Sequence, residues 1–156
     1  MSPDKHVISG IVLGTGSYML TKDITLAGAS ALSAFMCDID HLLEYSVYCM
    51  RYKVKPSTKE FFSGIYFEKK ARIVIPFHGY EYLLILLVLA FISKSSVIIG
   101  IALGYALHMI LDTIGNDCTF LGYCILYRLT VHFQLDKICV KGKRKNENNF
   151  NSNTNI

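Results

Sequence analysis

The stretch Asp38–His41 reads D-I-D-H and places two carboxylates and one imidazole within four residues, directly after an apolar run. Two further pairs follow the same plan, since His78 precedes Glu81 by three residues and His108 precedes Asp112 by four. On an α-helix these spacings place both side chains of a pair on one face. Histidine and carboxylate pairs in so apolar a chain indicate metal ligands, provided that the fold brings them together.

Composition indicates a membrane protein. The chain has 156 residues, of which 52% are hydrophobic and 18% charged, and its mean hydropathy is +0.36. That length predicts a single domain over residues 1–140 with a core of its own, and the apolar balance is typical of proteins that meet a lipid bilayer. The net charge is +4, and no nucleic-acid partner is expected.

The five cysteines are odd in number and include no C-x-x-C pair. This usage predicts reduced, mostly packing cysteines and argues against a disulfide framework or a zinc knuckle.

Four apolar runs predict the principal helices, namely Val7–Leu20, Ile24–Cys37, Tyr80–Ile92 and Val97–Leu111. Asp23 is placed to cap the second helix, and Pro76 is placed to begin the third. Each run has about 15 residues, fewer than the roughly 20 of a comfortable membrane span. The predicted fold is an all-α, multi-pass membrane bundle of two antiparallel hairpins with about four transmembrane helices.

The remaining segments differ in character from these runs. Residues 45–72 combine cations with aromatic side chains and predict a basic loop at the membrane interface. Phe120–Val140 predicts an amphipathic C-terminal helix, and the Asn-rich tail 141–156 is predicted to be disordered.

Two hairpins would bring all candidate ligands to one end of the bundle, because each candidate opens or closes an apolar run. The predicted metal ligands are His6, Asp38, His41, His78, Glu81, His108 and Asp112. Of the sixteen Lys and Arg residues, only Lys22 and Lys94 lie on the opposite turns. By the positive-inside tendency, the ligand end and both termini would face the cytoplasm.

Mixed imidazole and carboxylate ligands suit Zn²⁺, Mn²⁺ or Fe²⁺. Seven candidates allow one or two ions, since a structural zinc takes only four ligands. A spare carboxylate, Asp40 or Glu81, would serve as general base. Asp40 has an alternative role, in which it orients a histidine from behind.

The motifs resemble those of the bacterial family of membrane-bound metal-dependent hydrolases (YdjM-like). The likeness rests on His6, on C-D-I-D-H at Cys37–His41, on F-H-G-Y-E at Phe77–Glu81 and on H-M-I-L-D at His108–Asp112. Cys37 stands where the family commonly has proline, and Phe77–Glu81 replaces a more usual R-G-x-T-H-S pattern. The resemblance implies an inner-membrane hydrolase with a metal site built from these motifs.

Three functions follow as expectations. The first is a membrane-bound hydrolase that cleaves an ester or phosphoester with a metal-activated water. The second is a non-catalytic protein in which metal staples the bundle, or a metal sensor or transporter component. The third is a soluble helical hydrolase that touches the membrane through the basic loop, which is also a candidate site for anionic lipid headgroups.

Overall fold

The computed structural model of the chain describes residues 3–139, and its helices confirm the predicted all-α class. The helices are α1 (Pro3–Thr21), α2 (Ile24–Met36), α3 (Ile39–Tyr52), α4 (Thr58–Ser63), α5 (Ile65–Lys70), α6 (Tyr80–Ser93), α7 (Ser96–Gly115), α8 (Ile125–Thr130) and α9 (Leu135–Ile138), with a 3-10 helix at Phe120–Tyr123. Over the described range, β-pairing is limited to two isolated bridges. The predicted disordered tail, 141–156, lies outside the described residues.

The chain divides into two compact units. The first comprises Met1–Asp40 and Phe77–Asn116, and the second comprises His41–Pro76 and Asp117–Ile156. Each is described below by itself. The single domain predicted over residues 1–140 stays a prediction.

The first unit contains the two predicted hairpins. α1 packs on α2, α6 packs on α7, and the most extensive helix contact is between α2 and α7. The turn of the first hairpin is fixed as predicted, because the Asp23 carboxylate accepts hydrogen bonds from the backbone N–H groups of Thr25 (2.9 Å) and Leu26 (3.1 Å). Such a side-chain cap satisfies backbone donors that have no partner within the helix.

Small residues let α2 approach both of its neighbours closely. A Cβ atom added at Gly14 of α1 would lie 2.9 Å from the Ala27 carbonyl oxygen, and one at Gly100 of α7 would lie 2.6 Å from that of Leu26. These positions therefore require glycine, as in helix pairs that associate within lipid.

The outer surface of the first unit is strongly apolar. No side chain of α6 is buried, and Phe91 and Leu84 on this helix are 81% and 65% exposed. Two helical stretches, Ile24–Tyr52 and Ser96–Gly115, are long and apolar enough to cross a membrane by length and composition. Because only these two meet that standard within residues 3–139, the four predicted spans stay a prediction.

The start of the third predicted helix needs correction. α6 begins at Tyr80, four residues after Pro76, and Gly79 at its N-cap has an extended backbone. Residues 77–79 therefore form a non-helical segment that carries His78 into the unit.

The second unit corrects the loop predicted over residues 45–72, which is mostly helical. The inner face of α3 places Tyr45, Tyr48 and Cys49 against Tyr66 of α5, forming a buried cluster. Glu44 is also buried and forms an ion pair with Lys70. Aromatic rings thus supply a small core here and do not serve only as interface anchors.

The predicted amphipathic helix over Phe120–Val140 is wrong for the described part, which consists of three short helical segments. His132 and Phe133 break the helix because both have positive φ angles, 51° and 59°. The Phe133 carbonyl oxygen accepts a hydrogen bond from the Ile73 N–H (3.0 Å), and the Leu135 N–H donates to Ala71 (3.0 Å). Backbone pairing with residues 71–73 replaces a continuous helix.

The prediction that all cysteines are reduced is also wrong, because Cys118 and Cys139 form a disulfide. Cys37, Cys49 and Cys124 are free. Disulfides are typical of oxidising compartments, whereas the positive-inside tendency predicts a cytoplasmic, reducing environment here. The side of the membrane therefore stays a prediction.

We expect the disulfide to stabilise the second unit measurably. It closes a loop with a sequence separation of 21 residues, and cross-links of this size contribute about 3 kcal/mol by restricting the unfolded chain. The Cys118→Ser/Cys139→Ser variant should unfold at a lower temperature in detergent, and adding reductant should lower the unfolding temperature of the wild type but not of this variant. Cys124→Ser is the matched control. A wild-type protein unaffected by reductant would contradict the prediction.

Candidate metal centre

Four side chains of the first unit meet at the end where its hairpins were predicted to converge. His108 and Asp112 lie one turn apart on α7, as their spacing predicts. Asp38 lies in the turn between α2 and α3, and His78 lies in the non-helical segment before α6. A helix, a turn and a short non-helical segment thus bring together ligands that are up to 74 residues apart in sequence.

The ligand atoms of these four residues are close neighbours. His78 Nε2 lies 2.9 Å from His108 Nε2. Asp38 Oδ1 lies 3.6 Å from the first of these nitrogens and 3.8 Å from the second. Asp112 Oδ2 lies 3.4 Å from His78 Nε2 and 3.7 Å from His108 Nε2. Two nitrogens and two oxygens therefore surround one small volume.

This arrangement fits a divalent metal ion. With bonds of about 2.0–2.1 Å, the ligand atoms of a tetrahedral zinc site lie about 3.3 Å apart. The five distances above scatter around that value. The group His78, His108 and Asp112 and the group His6, Asp38 and His108 each have mutually close ligand atoms, and these buried groups can hold a metal ion.

Both central imidazoles are oriented through their far nitrogen. His108 Nδ1 donates to the Ala34 carbonyl oxygen at 2.8 Å. His78 Nδ1 donates to Asp40 Oδ2 at 3.1 Å, and the same oxygen accepts the Phe77 N–H at 2.8 Å. Metal-binding histidines characteristically make such a bond, which fixes the tautomer and leaves Nε2 free to coordinate.

The tautomers also explain why a proton or a metal ion has to lie between the two rings. With both Nδ1 atoms protonated, neutral imidazoles direct two Nε2 lone pairs at each other across 2.9 Å. Two carboxylate oxygens face the same volume. Lone pairs and anions in a buried place repel one another unless a proton or a metal ion lies between them.

His6 is part of the centre through Asp112. Its Nε2 donates to Asp112 Oδ1 at 3.0 Å, and its ring stacks on His108 with centroids 4.2 Å apart. His6 is fully buried. In this position it orients the carboxylate, and because His6 also forms a convergent group with Asp38 and His108, its role as a ligand stays a prediction.

Asp40, predicted as a catalytic base, lies behind His78. It is 1% exposed and bonds to the far side of the imidazole ring, so the geometry favours its alternative role of orienting His78. Glu81, predicted as both ligand and base, is half-buried in the first turn of α6. It is not in any group of three convergent ligand atoms within residues 3–139, and both of its roles stay predictions.

His41 is the first residue of the second unit. It is half-buried on α3, and its ring meets the edge of Phe67 with centroids 5.7 Å apart. Its role as a ligand stays a prediction.

Tyr105 is a supporting residue that sequence reasoning missed. Its buried hydroxyl lies 2.8 Å from the carbonyl oxygens of Phe77 and Gly79 and accepts the Gly79 N–H at 3.1 Å. It thereby anchors both sides of His78 to α7. The available signal was its position one turn before His108 on the same helix face.

Access to the centre is uneven. His6, His78 and His108 are fully buried and the Asp112 side chain is 3% exposed, whereas the Asp38 side chain is 19% exposed. Asp38 is therefore the most exposed of the four ligands.

The carboxylates of the centre raise the pKa of His78. Burial acts to lower this pKa, but hydrogen bonds to Asp112, Asp38 and Asp40 outweigh it and raise the pKa to about 10. In the metal-free protein His78 therefore holds a proton at neutral pH. A metal ion and this proton compete for the same nitrogen.

We expect metal affinity to fall as the medium becomes more acidic. Because His78 is protonated throughout pH 6–8, binding releases one proton, and the apparent Kd should rise about tenfold for each unit by which pH falls. Titration with zinc against a chelating indicator at pH 6, 7 and 8 measures the slope. A Kd that is constant over this range would contradict the competition.

No family model, curated protein or solved structure matches this chain. The resemblance to membrane-bound metal-dependent hydrolases therefore stays an expectation, and the function has to be argued from the site.

Proposed function

We propose that the protein is a membrane-bound hydrolase that uses a divalent metal ion, zinc in the first place and Mn²⁺ or Fe²⁺ as alternatives, to cleave an ester or phosphoester. The observation that carries the proposal is the set of two imidazole nitrogens and two carboxylate oxygens around one volume, with both histidines oriented from behind. The exposed apolar surface of α6 supports the membrane location.

The residues of the centre would either hold the ion or position its ligands. His78, His108, Asp38 and Asp112 would hold the ion, while Asp40, His6 and Tyr105 keep the ligands in place. A bound ion of this kind supplies catalysis by lowering the pKa of a coordinated water molecule toward neutrality. Asp38 lies at the accessible edge, where substrate would enter. Glu81 is the proposed general base.

A second function is favoured by the burial of the ligands. Three of the four ligand side chains are 0–3% exposed. Such burial also suits a structural ion that holds the two hairpins together, or the metal site of a sensor or transporter component. An enzyme needs an open coordination position, whereas a staple saturates its ion.

A hydrolysis assay on the zinc-loaded protein distinguishes a hydrolase from a protein in which the ion is structural. The detergent-purified protein should cleave a chromogenic carboxylic ester or phosphodiester, and His108→Ala should not. Glu81→Gln should keep its zinc and lose about 10²–10⁴-fold in rate, the usual effect of removing a general base. A full zinc content without hydrolysis of either substrate would leave the metal staple as the function.

Orientation in the membrane is tested with topology reporters. Since only Lys22 and Lys94 lie on the hairpin turns, reporters fused at these residues should be external, and a reporter after Lys145 should be cytoplasmic. A cytoplasmic signal at Lys94 would contradict both the spans and their orientation. It would also agree with the oxidising environment that the disulfide indicates.

A further inference from the structure

Helix α3 has an apolar face that is exposed in the described part of the chain. Leu43, Val47 and Met50 follow the i, i+4, i+7 spacing of one face and are 56%, 56% and 72% exposed. The opposite face carries Tyr45 and Tyr48, which are buried. Helices that expose apolar side chains in this way lie against lipid or against another apolar surface.

The end of this helix carries an uncompensated positive charge. Four exposed cations follow one another there, namely Arg51, Lys53, Lys55 and Lys59. Residues 45–59 contain no Asp or Glu, and no ion pair joins these four cations to another residue in the range 3–139. We refer to them as the basic edge.

The neighbouring cations of the same segment are engaged inside the unit. Lys69 pairs with Glu60 at 2.6 Å, and Lys70 pairs with the buried Glu44. Arg72 donates two hydrogen bonds to the carbonyl oxygen of His132. The positive charge that is available to a partner is therefore concentrated on the basic edge and not on residues 69–72.

The basic edge is held firmly against α3. The Tyr45 hydroxyl accepts the Ser57 N–H at 2.9 Å and contacts the Glu60 carboxylate at 3.1 Å. The Tyr48 hydroxyl donates to the same carboxylate at 3.3 Å. These bonds fix the turn between α3 and α4, so its lysines are presented from a structured segment beside the apolar face.

We propose that α3 and the basic edge form a binding surface for anionic phospholipids. The apolar face lies among the acyl chains, and the four cations contact headgroup phosphates, whose negative charge complements theirs. The inference rests on the membrane location in the proposed function, but it does not depend on metal binding or on hydrolysis.

The test uses the full-length protein in a zwitterionic detergent. Dioctanoyl phosphatidylglycerol and dioctanoyl phosphatidylcholine are titrated separately, and binding is followed by microscale thermophoresis. The wild type should prefer the anionic lipid, and its affinity should fall as salt is added. Equal affinity for the two lipids would overturn the proposal.

Two variants with the same net charge locate the surface. The first neutralises the basic edge by Arg51→Gln, Lys53→Gln, Lys55→Gln and Lys59→Gln. The second neutralises four exposed lysines elsewhere by Lys5→Gln, Lys22→Gln, Lys94→Gln and Lys137→Gln. Since each cation near an anionic surface contributes about fivefold in affinity, the first should bind phosphatidylglycerol at least about tenfold more weakly, and the second should stay within about twofold of the wild type.

Equal losses in both variants would overturn the proposal, because net charge alone would then explain binding. Zinc content is measured on the same samples and should be unchanged in both. A failure of lipid binding with zinc retained therefore leaves the proposed function standing, and a loss of zinc binding with lipid preference retained contradicts only the proposed function.

Discussion

Replacing His108 with alanine is expected to empty the metal centre. The substitution removes one of two imidazole ligands, and Asp38 and Asp112 then face each other across a site that has lost half of its nitrogen ligands. His78→Ala should have the same result for the same reason. Residues that share one ion act as a unit, so either single change should remove metal nearly as fully as both together.

The measurement is the zinc content of the detergent-purified protein after dialysis. His132→Ala is the matched control, because this exposed histidine lies in the second unit and forms no part of the centre. His41→Ala belongs in the same series, because His41 is a predicted ligand and this change should also abolish bound metal if it holds the ion. Stoichiometric zinc in His78→Ala or His108→Ala would refute the centre described here.

Metal loss should leave membrane insertion intact while lowering thermal stability. Apolar helices drive insertion, and neither substitution removes an apolar side chain from α1, α2, α6 or α7. The ion, however, would join Asp38 after α2, His78 before α6 and His108 on α7. Without the ion the two hairpins are no longer linked at this end, and the free energy of metal binding no longer contributes to the stability of the fold.

The convergence of the ligands could be predicted from the sequence because it depends only on the order of the helices and on their pairing into hairpins. Two hairpins place the start of one helix beside the end of the next, and the structure brings His6, Asp38, His78, His108 and Asp112 to one end of the first unit. The spacing of His108 and Asp112 placed them on one face of α7, as observed. Helical periodicity and connectivity were sufficient for this part.

The finer roles were not accessible because they depend on backbone that periodicity does not describe. His78 and Glu81 were paired as though both lay on a helix, but His78 precedes α6 in a non-helical segment and its side chain bonds to Asp40 instead. A backbone carbonyl acceptor such as that of Ala34 leaves no pattern in the sequence, and the position of Tyr105 one turn before His108 does not show which groups its hydroxyl contacts.

The second unit was harder to predict for a related reason. Its core is made of tyrosine and phenylalanine rings and a buried Glu44–Lys70 pair, which in a sequence look like an interfacial loop. The pairing of Cys118 with Cys139 arises from an antiparallel bridge between two irregular segments. Cysteine spacing alone does not determine such pairings.

Gly104→Leu is expected to destabilise the first unit and to disable the centre at once. A side chain at this position of α7 would overlap the Ser30 carbonyl oxygen and the Ser33 hydroxyl of α2. A backbone atom cannot move aside as a flexible side chain does, so the two helices would have to separate. Overpacking of this kind costs about 1–3 kcal/mol, and more where the backbone must shift.

The effect should reach the metal because the same helix contact orients His108. This residue lies one turn after Gly104, and its Nδ1 donates across the contact to Ala34 at 2.8 Å. Separating α7 from α2 breaks that bond and displaces the ligand, so Gly104→Leu should lower both the unfolding temperature and the zinc content. Gly16→Leu is the matched control, because a Cβ atom added there would meet nothing within 4 Å. A Gly104→Leu protein that unfolds and binds zinc like the Gly16→Leu protein would show that close approach of α2 and α7 does not support the centre.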